Sequence, residues 1–204
     1  MTTLLKIDAS ARSQNSHSRA LAQNIVEQWQ AAHPNGRIID RDLATQPLPH
    51  ISEQTIEGFF GGVLTDAQKE ATQLSDTLIS EIFESDVIVI STPMYNFTVP
   101  SSLKAWIDQV SRVGKTFSFD PEEGFQGLVK DKQVFVVTAA GAVFSGTDIE
   151  KMDFMSDYLS AMLAFLGMPI TKHWRLEGSS VDQDLIETSK QSAKEEISKL
   201  WSVS

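Results

Sequence analysis

The sequence predicts a doubly wound α/β fold, a parallel sheet with helices on both faces. Short apolar runs rich in branched residues recur along the 204 residues. Between them, apolar residues fall at helical rather than alternating spacing. Strand alternating with helix requires parallel strands joined by right-handed crossovers. A hydrophobic content of 41% sets the scale, since it suits one domain over residues 1–204 with a sizeable core.

The elements follow in order. The first strand is expected at 2–8 (TTLLKID), and a helix begins at about Ser18 with Leu21, Ile25 and Trp29 on one face. The second strand falls at 37–42 (RIIDRD). Residues 43–64, rich in Pro and Gly, read as a long loop, the kind usually tied to function or an interface. The next helix sets Ala67, Ala71, Leu74, Leu78 and Ile82 on one face, with Thr65 or Asp66 to cap it. The third strand is 86–91 (DVIVIS), followed by a helix with Ser101 as its cap. Strands at 133–138 (QVFVVT) and 169–176 (PITKHWRL) complete the sheet, and a last helix aligns Ile186, Ala193, Ile197 and Leu200. The first and third runs are the most apolar, so they belong at the centre. Five such strands suit the order 2-1-3-4-5 of flavodoxin-like sheets.

Residues 152–166 carry two apolar faces, Met155, Leu159, Met162 and Leu166 on one and Phe154, Tyr158 and Phe165 on the other. One face covers the sheet. The other needs a partner subunit, a ligand or the 43–64 segment.

Composition narrows the function. A net charge of −10 with no basic stripe excludes nucleic acid and anionic membrane as partners. With no cysteine, disulfides, thiolate zinc sites and thiol redox chemistry are excluded. No signal peptide and no apolar stretch of about 18 residues is present, so a cytoplasmic location is expected.

All strand C-termini of a parallel sheet share one edge, and ligands bind there at the switch point. That edge gathers three loops. The first, 9–18, offers Ser10, Ser13, Ser16 and Ser18 ahead of a helix whose free N–H groups form a phosphate cradle, with Arg12 and His17 near by. Serines in this position also cap helices, and both readings stand. The second is Pro93-Met94-Tyr95-Asn96-Phe97. Its bulk either fills the core or walls a flat aromatic ligand, and its Asn tolerates unusual backbone angles. The third, Ala139-Ala140-Gly141-Ala142, is small enough for backbone to approach a ligand.

Other motifs fail on context. Val113-Gly114-Lys115-Thr116 resembles the end of a phosphate-binding loop, but the glycine such a loop requires upstream is Gln109 here. Ser101-x-x-Lys104 lacks the companion motifs of acyl-transfer serines, and the histidines show no metal-ligand spacing. Without a nucleophile or acid–base pair of its own, such a chain borrows its chemistry from a cofactor. A phosphate cradle beside an aromatic slot points to flavin mononucleotide (FMN).

The stretches KIDAS…S-H-S, PMYNF followed by P-S-x-LK-x-W-I-D, and GKTF…GLVKDKQVFVVT resemble the FMN-dependent NADH:azoreductase and quinone reductase family over essentially the whole chain. The resemblance implies a flavodoxin-like homodimer with one tightly but non-covalently bound FMN per subunit. It implies two-electron transfer from NADH or NADPH to quinones or azo compounds by a ping-pong route. It assigns Ser10, Ser16, His17 and Ser18 to the FMN phosphate, and Met94, Tyr95, Asn96 and Phe97 to the isoalloxazine ring. It assigns Ala139, Ala140, Gly141 and Ala142 to the ring's polar edge, and Phe119 and Met162 to the substrate face. Many members carry Gln at position 17 and a Gly pair after a polar residue at the third loop, where this chain has AAGA. The rival from another class is a flavodoxin-type FMN electron carrier. The wide apolar face, and a first loop that is not Thr-rich, argue against it.

Overall fold

A computed structural model describes residues 2–201. In chain order the elements are β1 (Thr3–Asp8), α1 (His17–Ala32), β2 (Arg37–Asp42), α2 (Glu53–Phe60), α3 (Asp66–Glu84), β3 (Val87–Pro93) and α4 (Ser101–Val110). There follow β4 (Phe117–Asp120), β5 (Gly124–Gly127), β6 (Gln133–Ala139), α5 (Phe154–Leu166), β7 (Lys172–Leu176) and α6 (Gln183–Ile197). The main sheet is parallel with order β2-β1-β3-β6-β7. Counted along these five strands that is the expected 2-1-3-4-5.

Strand alternation explains the unbroken apolar run at 87–90. Ile88 and Ile90 join Leu5, Ile7, Val134 and Val136 under α3, α4 and α5. Val87 and Val89 join Leu4, Phe135 and Val137 under α1 and α6. Successive side chains point to opposite faces, so a strand covered on both sides has to be apolar throughout. Trp106 anchors the first layer and Trp29 the second, both fully buried. Each contributes roughly 2–3 kcal/mol of burial. β2, at the edge, is half exposed, and Arg37, Asp40 and Arg41 discourage another strand from pairing there.

Several expectations need correcting. The 43–64 segment is not wholly loop, because α2 lies within it, closed by a capping box between Ser52 and Thr55. Gly58 lets α2 sit directly on Thr72 of α3. The buried face of α3 runs through Thr72, Ser75, Leu78, Ile79 and Ile82 and leaves Ala67 exposed. Thr65 caps α3, its side chain accepting from the Gln68 N–H. Ser101 caps nothing: it is the first residue of α4, after Pro100, whose fixed φ already suits a helix start. Leu200 lies past the end of α6, and the last strand begins at Lys172 rather than 169.

The antiparallel hairpin β4–β5 was not expected. Its Phe117 and Phe125 rings meet Phe165 of α5 at centroid distances of 4.7 and 5.6 Å. The hairpin thus covers part of the second apolar face of α5, though Phe154 stays 59% exposed. Gly127 at the end of β5 packs on the backbone of Gly167, the left-handed residue (φ 92°) that ends α5. No side chain fits between them. The Val129 N–H donates to the Leu166 carbonyl at 3.0 Å beside this contact.

Candidate functional site

The loops after β1, β3, β6 and β7 enclose a cleft of about 240 Å³ at the C-terminal edge of the sheet. Its polar end comes from the first loop. Ser16, not Ser18, is the N-cap of α1, and its hydroxyl accepts from the Arg19 N–H at 3.5 Å. Two serines around one histidine leave the cap's register open in sequence, and Asn15 settles it by turning the chain at φ 57° just before Ser16. Ser18 is fully buried in the first turn, its hydroxyl 3.4 Å from that of Ser16. The first-turn amides of His17 and Ser18 find no acceptor among the described residues. Ser10 is buried as well, and its hydroxyl accepts from the Arg12 N–H at 3.2 Å, so its own proton remains free to donate. His17 lines the cleft, and burial, helped by the Lys190 charge, lowers its pKa below the usual 6.5.

The apolar end comes from the loop after β3. The Met94 N–H donates to the Ala139 carbonyl at 2.7 Å, and Met94 packs onto the core below. Tyr95 and Thr98 exchange backbone hydrogen bonds of 2.9 and 3.2 Å around Asn96 and Phe97. Both central residues have positive φ, 51° and 70°, the mark of a type I′ turn. Asn adopts this readily, but an aromatic residue there is strained. Phe97 is 41% exposed and meets Phe144 edge-on at 6.2 Å. Met94 and Tyr95 therefore line the cleft, whereas Asn96 and Phe97 form the turn beyond it.

In the third loop Ala139 and Gly141 line the cleft and Ala140 is buried. The carbonyls of Ala140, Gly141 and Ala142 accept from Ser179, Ser180 and Gly178, each at 3.0 Å. Because each peptide is planar, the amides of Gly141, Ala142 and Val143 point the opposite way, away from the 178–180 segment. Glu177 accepts from the Phe144 and Ser145 amides at 3.0 Å and fixes the rest of the loop. Ser179 and Ser180 also line the cleft and were missed. They follow β7 at the same edge, so the rule that found the other loops would have found them. Phe119 and Met162 lie elsewhere: Phe119 packs against Phe125 in the hairpin, ring centroids 4.9 Å apart and tilted by 51°, and Met162 packs against the core from α5.

A cleft at the crossover point of a five-stranded parallel sheet puts the chain in the doubly wound class, whose ligands bind at this edge. Residues 2–200 match the family described as flavodoxin-like fold. The FMN-dependent NADH:quinone oxidoreductase of Herminiimonas arsenicoxydans is 42% identical over 170 residues, 82% of this chain and 83% of that one. Its counterpart in Azotobacter vinelandii is 37% identical over 202 residues, 98% of this chain and all of that one. Azoreductase from Bacillus anthracis superposes with a TM-score of 0.89 at 29% identity, over 98% of this chain and 99% of that one. The chain belongs, within the flavodoxin-like family, to the FMN-dependent NADH:quinone oxidoreductases.

Proposed function

We propose that the chain is an FMN-dependent reductase that passes two electrons from NADH or NADPH to quinones and azo compounds by a ping-pong route. One observation carries this reading: a single cleft has a hydroxyl and amide cradle at one end and Met94 and Tyr95 at the other. The residues fit FMN. Ser10, Ser16, Ser18 and the free first-turn amides suit a phosphate, with neutral His17 and cationic Arg12 beside them. Met94 and Tyr95 suit the flat ring, and Asn96 and Phe97 close the turn that presents them. The amides of Gly141 and Ala142 suit the ring's polar edge, where fixed N–H groups stabilise developing negative charge without reorganising. Bound FMN supplies the two-electron chemistry that these side chains lack. The chain's own work is to bind, orient and shield. The names of the relatives, FMN-dependent NADH:quinone oxidoreductase, support the same reading.

A homodimer belongs to the proposal. Phe60, Phe119 and Phe125 are 75%, 56% and 63% exposed, more aromatic surface than a monomer ordinarily shows. Phe119 and Met162, outside the cleft of one chain, would then serve the acceptor's site in the dimer. Among the described residues no helix is long and apolar enough to cross a membrane. We place the enzyme in the cytoplasm.

The test is steady-state oxidation of NADH with menadione by purified, FMN-saturated protein. Sustained turnover is expected, and none would sink the reading. Light scattering on the same sample should give twice the 22.6 kDa of one chain.

A further inference from the structure

Behind the cradle lies a charged cluster that the cleft itself does not expose. Asp8 and Asp42 are register partners at the ends of β1 and β2. Strand pairing alone brings two carboxylates side by side there, Asp8 almost fully buried. Arg19, in the first turn of α1, answers both. Its Nη1 donates to Asp42 Oδ2 at 2.9 Å and to Asp8 Oδ2 at 3.2 Å, and its Nη2 to Asp42 Oδ1 at 2.7 Å. This bidentate fork fixes the guanidinium plane. Asp8 is held further by Lys6 at 3.1 Å and by the Ser91 hydroxyl. With its charge answered by two carboxylates, Arg19 has little Coulombic pull left for an anion in the cleft.

Its remaining donors reach the cradle backbone. Nη2 donates to the Ser10 carbonyl at 2.6 Å and Nε to the same oxygen at 3.2 Å. Across a planar trans peptide, C=O and N–H point in opposite directions. Drawing the Ser10 carbonyl back toward Arg19 therefore turns the Ala11 N–H forward. Ser10 and Arg12, on either side, line the cleft, and Ala11 N–H has no acceptor among the described residues.

We infer that Arg19 is a positioning residue of the phosphate site: held by Asp8 and Asp42, it aims the Ala11 amide at the ligand's phosphate. This rests on the FMN reading above. The side chain acts through geometry rather than charge, and that makes a lysine a poor substitute. Lysine keeps the charge but cannot hold a bidentate carboxylate and a carbonyl in one plane.

The experiment is fluorescence titration of FMN and of riboflavin against wild type, Arg19→Lys and Asp42→Asn, with thermal melts beside it. The ratio of the two affinities isolates the phosphate's contribution, and a general loss of structure would lower both together. Arg19→Lys is expected to bind riboflavin as wild type does and FMN about tenfold more weakly. Asp42→Asn, which frees the guanidinium but keeps it, should move the ratio the same way, and it gives the reading should the lysine variant fail to fold. A wild-type ratio in the folded variants overturns the inference. A wild-type protein that binds both flavins equally overturns the FMN-phosphate reading itself and takes the inference with it.

Discussion

Phe97 offers a test whose sign runs against ordinary expectation. In most places alanine is more stable than glycine by about 0.5–1 kcal/mol, because glycine loses more freedom on folding. Phe97 sits at φ 70°, where any residue with a Cβ is strained by about 1–2 kcal/mol. Phe97→Ala removes the ring and keeps that strain, whereas Phe97→Gly removes both. The two variants share the loss of a ring somewhat more than half buried, about 2 kcal/mol, and of its edge contact with Phe144, about 1 kcal/mol. The difference between them is the strain less glycine's extra entropy, so the glycine variant is expected to be the more stable by about 0.5–1 kcal/mol. In a chain of this size that is a melting temperature about 1–4 °C higher. The assay is thermal denaturation of the FMN-free variants by circular dichroism, with urea unfolding as a check. An alanine variant that melts with or above the glycine variant would show that the turn is not held left-handed, and the account of the loop would fall.

Ser16→Ala should lower stability by about 0.5–1 kcal/mol, the low end for a cap because its hydrogen bond is long. Ser18→Ala should leave the melt nearly unchanged and weaken FMN by about fivefold to tenfold, and a variant that lost only stability would return Ser18 to a structural role. For His17 the folded pKa lies below 6.5, so the ring is neutral at pH 7 and a bound phosphate would draw a proton onto it. Calorimetry in buffers of different ionisation heat should show more proton uptake on FMN binding by wild type than by His17→Gln near pH 6, and equal uptake would place His17 away from the phosphate. The Asp42 carboxyl, held chiefly by the hydrogen bonds of Arg19, has its pKa lowered from 3.8 to about 2. A lowered folded value means stability present above about pH 4 and lost as pH falls toward 2. Urea midpoints of wild type should therefore fall more steeply across that range than those of Asp42→Asn, and parallel curves would contradict the pairing.

The sheet was legible because its central strands β1, β3 and β6 are buried on both faces and so read as continuous branched runs, bounded by helical periodicity. The hairpin was not, because its strands are four residues each and half exposed, so no apolar run announces them. The alternate phenylalanines at 117 and 119, with Phe125 after a Pro-Glu-Glu-Gly turn, were the signal available. Helix α2 was hidden by Gly58 and by the Gly61-Gly62 pair that follows it, although Ser52 and Thr55 carried a capping pattern with Thr in the place usually held by Glu. The edge rule brought Ser10, Ser16, His17, Ser18, Met94, Tyr95, Ala139 and Gly141 to one cleft. Arg19 lay beyond its reach, since its carboxylate partners stand 11 residues before it and 23 after it. Asp8 and Asp42 both end strands, but only pairing of β1 with β2 turns that coincidence into a demand for a cation.

The glycine pair at 127 and 167 has a mechanical meaning. Where two backbones touch without side chains there is no layer of side-chain atoms to repack, and the hydrogen bond from Val129 to Leu166 beside the contact ties the hairpin to α5. Phe119, carried by the one, and Met162, carried by the other, ride on a single rigid block. Under the proposed function, widening the acceptor's path would then fall to the turn around Asn96 and Phe97 rather than to the block. Which acceptors are taken would, under that same proposed function, depend on the side chains the block displays. Exchanging Phe119 or Met162 reshapes that wall while leaving its frame where it was.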